Sequence, residues 1–155
     1  MRRKKADRRQ KVVDPKYNDK LVAKFINMIM LGGKKSVAQS IVYNALEIAA
    51  KKIDKEPKEI FYKVIENVKP LVEVKPRRVG GATYQVPVEV RADRGQALAM
   101  RWIKKFSQAK KSKSMQERLA DEMISAYKKE GLSVKKKEDT HKMAEANKAF
   151  SHYKW

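Results

Sequence analysis

"VEVKPRRVGGATYQVPVEVR", residues 72–91, alternates valine with charge along both arms, whereas the chain on either side repeats its apolar residues at helical spacing. Gly80 and Gly81 supply a two-residue turn, so the stretch reads as a β-hairpin set inside a helical protein. Val72, Val74, Val86, Val88 and Val90 are expected on one face, with Glu73, Lys75, Arg77, Gln85, Glu89 and Arg91 on the other. Each arm carries a proline, Pro76 and Pro87, and proline is tolerated only on sheet edges because it brings no N–H to a ladder. Both strands are therefore expected to be edges. A lone two-stranded ribbon is marginal in water, so its valine root should pack on helices while its basic tip meets a partner. Lys75, Arg77, Arg78 and Tyr84 place phosphate ligands beside a ring able to stack on a base. A hairpin that merely covers the core is the blander alternative.

Upstream, three helices are expected. Leu21, Val22, Phe25, Ile26 and Ile29 form one apolar stripe, closed by Gly32 and Gly33. Ser36 with Gln39 has capping-box spacing for a second helix running to about Ile53, with Val37, Ile41, Ala45 and Ile48 beside Ala38, Val42 and Ala49 on its inner face. Pro57 opens a third, carrying Ile60, Phe61, Val64, Ile65 and Val68, and Pro70 stops it. Downstream, Asp93 can cap a fourth with Ala97, Leu98, Trp102, Ile103 and Phe106 inside. Ser114 and Glu117 repeat the capping-box spacing for a fifth, with Leu119, Ala120, Met123, Ile124 and Tyr127 inward and Gly131 closing it. A peripheral sixth is expected from about Lys135 to Ala149 on Met143, Ala146 and Phe150. The fold class is mainly α, a single-domain bundle of about six helices with the hairpin projecting between the third and fourth. The division is a basic arm at 1–17, flexible when free, a helical domain at 18–150 and an aromatic, basic tail at 151–155.

With 155 residues the chain suits one domain, and 38 Lys and Arg against 18 Asp and Glu leave a formal charge of +20. That excess asks for a polyanion. Nucleic acid is favoured over acidic membrane, because cancelling phosphate charge releases condensed counterions and the apolar stripes are sized to bury one another. No apolar run approaches the roughly 20 residues needed to cross a bilayer, and no signal h-region follows the basic start, so a soluble cytosolic chain without a membrane partner is expected.

Catalytic chemistry is poorly supported. There is no cysteine, and the only histidines, His141 and His152, lie near the C-terminus away from any metal-ligand spacing. "LGGKKS", residues 31–36, lacks the first glycine and the preceding strand of a phosphate loop, and helix ends explain it. Glu117, Asp121 and Glu122 are read as caps and exposed helical charges. Neither an enzyme nor a cofactor is expected. The stronger signals are cationic: Arg2, Arg3, Lys4, Lys5, Arg8, Arg9 and Lys11 in the arm, and Lys110, Lys111 and Lys113 between helices four and five. At the end, Phe150, His152, Tyr153 and Trp155 interleave with Lys148 and Lys154, equally suited to base stacking or to docking back on the helices.

"DPKY" at 14–17, "GGKKS" at 32–36, "KPRRVGGATYQVPVEV" at 75–90, "ALAMRW" at 97–102 and "KKKEDTHKMAEANKAFSHYKW" at 135–155 together resemble the bacterial-type small-subunit ribosomal protein seven family. The likeness runs the whole chain in the family's order. It implies six helices with a hairpin between the third and fourth, and a primary rRNA-binding protein that binds the 3′ domain of small-subunit rRNA and nucleates assembly of the head. It also implies neighbouring ribosomal proteins of head and platform, a hairpin near the exit-site tRNA and, in some members, repression of the protein's own mRNA. Carried over by position, the resemblance directs to rRNA the arm cations Arg2 to Lys11, Lys34 and Lys35, the hairpin's Lys75, Arg77 and Arg78, and Arg91 and Arg94. Lys110, Lys111, Lys113, Lys136, Lys142 and Lys148 follow less specifically. Arg77, Arg78, Gly80, Gly81 and Tyr84 would lie nearest the exit-site tRNA, with His152, Tyr153 and Trp155 available for stacking. The implied location is the cytoplasmic ribosome, a plastid one being left open by plastid-encoded members of similar length. A DNA-compacting protein, a nuclease and a messenger repressor are the rival functions. Equal affinity for duplex DNA, turnover of excess substrate, or competition between messenger and rRNA would identify them in turn.

Overall fold

A computed structural model describes residues 12–153. Helix α1 is Lys20–Ile29, α2 Lys35–Ile53 and α3 Pro57–Val68. The hairpin strands β1 (Val72–Val79) and β2 (Ala82–Glu89) follow, and then α4 (Ala92–Ala109), α5 (Met115–Tyr127), α6 (Leu132–Ala146) and a 3-10 segment, Lys148–Tyr153. The expected architecture is present, including a two-stranded antiparallel sheet between the third and fourth helices.

Local chemistry sets the helix ends. Asp19, extended at φ −135°, accepts the Leu21 and Val22 N–H groups at 2.6 and 3.0 Å and starts α1. Pro57 occupies the first turn of α3, where its missing N–H costs nothing. Ser114 and Glu117 form the expected capping box, the Glu117 carboxylate accepting the Ser114 N–H at 3.1 Å. Elsewhere the caps differ from expectation. Lys34, not Ser36, stands at the start of α2, and Arg91, not Asp93, at that of α4, neither with a side-chain cap. Asp93 instead lies in the first turn of α4, where its charge still favours the helix dipole. Gly131 does not close α5, which ends at Tyr127; at φ +91° it opens α6, which begins and ends about three residues before its expected bounds.

The core is one cluster. Val22, Phe25, Ile26, Val42, Leu46, Ile60, Phe61, Val64, Ile103, Leu119 and Met123 are at most 1% exposed, and the Phe25 and Phe61 rings lie 5.5 Å apart. Burying each large aliphatic or aromatic side chain contributes about 1.5–3 kcal/mol. Three faces are rotated from the expected stripes. In α2, Val37 is 54% exposed and Leu46 takes the inner position. In α4 the buried line is Gly95, Ala99, Ile103 and Ser107, which leaves Trp102 only partly covered. In α6 the buried residues are Ser133, Val134 and Ala144, and Met143 points outward. The cause is common: each helix carries more apolar residues at helical spacing than it buries.

The hairpin's faces are also corrected. Because the turn holds two residues, Val79 opposes Ala82, and counting back pairs Val74 with Pro87 and Glu73 with Val88. Directly opposed residues share a face, so Val72 and Val74 lie opposite in sense to Val86 and Val88. The inward face is Glu73 with Val86, at 8% and 0% exposure.

Candidate nucleic-acid interface

The root of the ribbon is fixed from several directions. Val90 N–H donates to the Leu71 carbonyl at 2.8 Å, extending the pairing by one step. Leu71 N–H donates to Nε2 of His141 at 3.0 Å, joining α6 to the beginning of β1. Burial, and then the nearby Lys137 ammonium, hold the His141 pKa below its usual value, which keeps that nitrogen an acceptor. Lys137 in turn donates to the Asn67 carbonyl at 2.9 Å, and the Asn67 amide donates to the carbonyls of Ala126 and Tyr127. Farther out, Tyr84 on β2 packs against Phe150 and Tyr153, with centroids 5.2 and 5.1 Å apart. The tip, with Arg78, Gly80, Gly81 and Thr83, is exposed.

Some cations of the expected interface are tied within the chain. Arg94 forms a two-pronged pair with Glu73, which also lies 3.5 Å from Lys75. Burial raises the Glu73 pKa, but the Arg94 hydrogen bonds and charge outweigh it and leave the carboxyl below its usual range. Lys113 pairs with Asp121 at 2.8 Å, lowering the pKa of that carboxylate. Lys110 reaches Glu122 at 2.8 Å. Glu122 is not the exposed helical charge expected: it is fully buried, its Oε1 accepting both the N–H and the hydroxyl of Ser133 at 3.1 and 2.7 Å. This carboxylate ties the linker before α5 to the start of α6.

Others face water. Lys34, Lys35, Arg78, Arg91, Lys111, Lys136, Lys142 and Lys148 are exposed and form no ion pair among the described residues. Arg77 is half-buried in the ribbon. His152 is exposed and lies 4.0 Å from the Tyr153 ring, so this part of the tail folds onto the hairpin through Tyr153. Arg2 to Lys11 and Trp155 lie outside the described residues. In the described part of the segment 1–17, Asp14 ties the chain to α2. Asp14 is buried, accepts the Tyr43 hydroxyl at 2.6 Å, and takes the N–H groups of Lys16 and Tyr17. Burial and this bond push the Tyr43 pKa up to about 12.

A further group of cations lies where sequence reading did not look. Leu21 on α1 and Gln96 on α4 line one cleft, and Lys104 donates to the Met28 carbonyl at 2.6 Å, so the two helices run side by side. Lys20 and Lys24 on α1 and Arg101 and Lys105 on α4, the two helices so joined, are in no ion pair among the described residues. The available signal was an absence: from Lys20 to Leu46 there is no Asp or Glu. Among the described residues no group of three or more His, Asp or Glu is placed to hold a metal ion, and no helix is long and apolar enough to cross a membrane.

Comparison with known proteins gives a consistent result. The family model described as Ribosomal protein S7p/S5e matches residues 1–148. Small ribosomal subunit protein uS7 of Thermotoga neapolitana is 57% identical over 155 residues, covering 100% of both chains. The uS7 proteins of Thermotoga maritima and Trichlorobacter lovleyi are each 56% identical, over 100% and 99% of both chains respectively.

Proposed function

The chain belongs to the ribosomal protein S7p/S5e family, and from that premise we propose that it binds the 3′ domain of small-subunit rRNA directly and nucleates assembly of the head. It is a structural, RNA-binding protein of the small ribosomal subunit and not an enzyme, with rRNA and other ribosomal proteins as its partners. The observation that supports the finer reading is the separation of charge: Lys20, Lys24, Lys34, Lys35, Arg101 and Lys105 have no carboxylate partner among the described residues, the first four within a stretch, Lys20 to Leu46, that holds no Asp or Glu.

The mechanism is stoichiometric binding. Cations on α1 and α4, the α1–α2 turn and the hairpin cancel phosphate repulsion between RNA segments, and each neutralised phosphate releases counterion. The packed helices hold those charges at fixed spacing, so junction shape is read more than base identity, the major groove of an RNA duplex being too narrow for side chains. The exposed tip around Arg78, Gly80 and Gly81 is the part of the hairpin free to approach the exit-site tRNA. Repression of the protein's own mRNA would use the same surface.

The test is binding to a 3′-domain small-subunit rRNA fragment against an unrelated structured RNA of equal length, at two salt concentrations. Selectivity that survives the higher salt supports a dedicated rRNA-binding protein. Equal, salt-sensitive binding to both overturns it in favour of a generic polycation.

A further inference from the structure

Between α1 and α2 the chain leaves an apolar notch that the helical core does not use. Gly32 and Gly33, at φ +57° and +74°, turn the backbone so that Lys34 N–H donates to the Leu31 carbonyl at 3.1 Å. Leu31 is left 67% exposed, and Val37, one turn into α2, is 54% exposed. With Met30, Ile41 and Lys34 they line a recess of about 280 Å³. Lys34 stands at its rim and Lys35 follows it in the chain, neither with a carboxylate partner among the described residues, and the nearest acid along α2 is Glu47.

We propose that this notch receives one unpaired, unstacked RNA base, with Lys34 and Lys35 on the phosphates that flank it. The inference deepens the rRNA-binding reading and rests on it. Extruded bases are held by apolar side chains against their faces, and only an unpaired nucleotide offers such a face to a recess of this kind. The charge argues against a protein helix as occupant. An apolar anchor from a protein needs no cations, whereas a nucleotide brings its own anions to the rim where Lys34 stands with Lys35 next in the chain.

The experiment follows the methyl groups of Leu31, Val37 and Ile41 and the amides of Lys34 and Lys35 by NMR. The full-length protein is titrated with a short single-stranded RNA of mixed sequence, then with a blunt duplex of equal length. Ring-current shifts of the methyls with the single strand alone, and amide shifts with both, are expected. The double variant Leu31→Ser, Val37→Ser, exposed at both positions, should fold as wild type and lose about tenfold in affinity for the 3′-domain rRNA fragment, with its salt slope unchanged. Static methyls in a protein that binds the fragment, or methyl shifts that appear only on adding a neighbouring ribosomal protein, would overturn the notch and spare the rRNA reading. Failure of the wild type to select the fragment would overturn both.

Discussion

Arg94, in the first turn of α4, closes on Glu73 of β1 through two parallel hydrogen bonds, Nε to Oε1 at 2.7 Å and Nη2 to Oε2 at 2.9 Å. The pair fastens the root of the hairpin to the helix that follows it. Replacing Arg94 by Ala leaves a nearly buried carboxylate with only Lys75 nearby, and should cost about 1–3 kcal/mol in urea unfolding. The depressed Glu73 pKa gives this contribution a direction in pH. Its stability is fully present above the ordinary carboxylate pKa of 4.5 and is lost as pH falls through the folded value. Between pH 5 and 3 the variant should therefore lose less stability than wild type, and equal slopes would show that the pair is not linked to folding.

Glu122 makes a sharper demand. Its fully buried carboxylate binds the Ser133 N–H and hydroxyl and the Lys110 ammonium, so Glu122→Ala orphans three groups in two segments. A loss of about 3 kcal/mol is expected, the low end for breaking a buried pair because Lys110 is 36% exposed and can reach water. Gly131→Ala acts on the same junction: at φ +91° an added Cβ would lie 3.0 Å from Ser125 Cβ and 3.3 Å from Glu122 Oε1. A cost of about 1 kcal/mol or more follows. Wild-type midpoints for both variants would sink this account of the α5–α6 junction.

Tyr84 joins the hairpin to the 3-10 segment through Phe150 and Tyr153. Tyr84→Ala should lower global stability by only about 0.5–1.5 kcal/mol, the contribution of such ring contacts beyond area. Its larger effect should be local, as faster hydrogen exchange of the β1 and β2 amides with α2 and α5 unchanged. Uniform exchange changes would mean that the ribbon and the helices open as one unit.

Partial cover sets the scale for the two large rings of the bundle. Phe61 is fully buried, so Phe61→Ala should cost about 3–5 kcal/mol. Trp102 lies at the rim of the core, and Trp102→Ala should cost about 1.5–3 kcal/mol, in proportion to the area it covers. Equal losses in thermal unfolding would place Trp102 deeper than its partial cover allows.

The outline of this fold was legible because its strongest signals are local. A two-glycine turn between valine-rich arms, Pro57 at a helix start and the Ser114–Glu117 box each act within a few residues, and each formed as read. What failed needed geometry. The valines of the two arms look alike in the sequence, and only the odd sum of paired positions across a two-residue turn shows that Val74 and Val86 part company. Glu122 reads as one more helical charge until α6 brings Ser133 against it, eleven residues away. The contact of α1 with α4 escapes the sequence for the same reason, since Lys104 and Met28 stand 76 residues apart.

Helix α4 yields the prediction closest to function. Arg101 and Lys105 are exposed, one helical turn apart, and pair with no carboxylate among the described residues. Removing them should leave unfolding midpoints within about 0.5 kcal/mol of wild type, because neither supports the core. If both neutralise rRNA phosphates, the double variant Arg101→Ala, Lys105→Ala should flatten the dependence of log affinity on log salt by about 1.4–1.8, two contacts at roughly 0.7–0.9 each. Affinity for unrelated RNA should fall in parallel, since phosphate contacts carry no sequence information. An unchanged slope with intact folding would remove α4 from the RNA-facing surface and leave the α1–α2 turn and the hairpin to carry it.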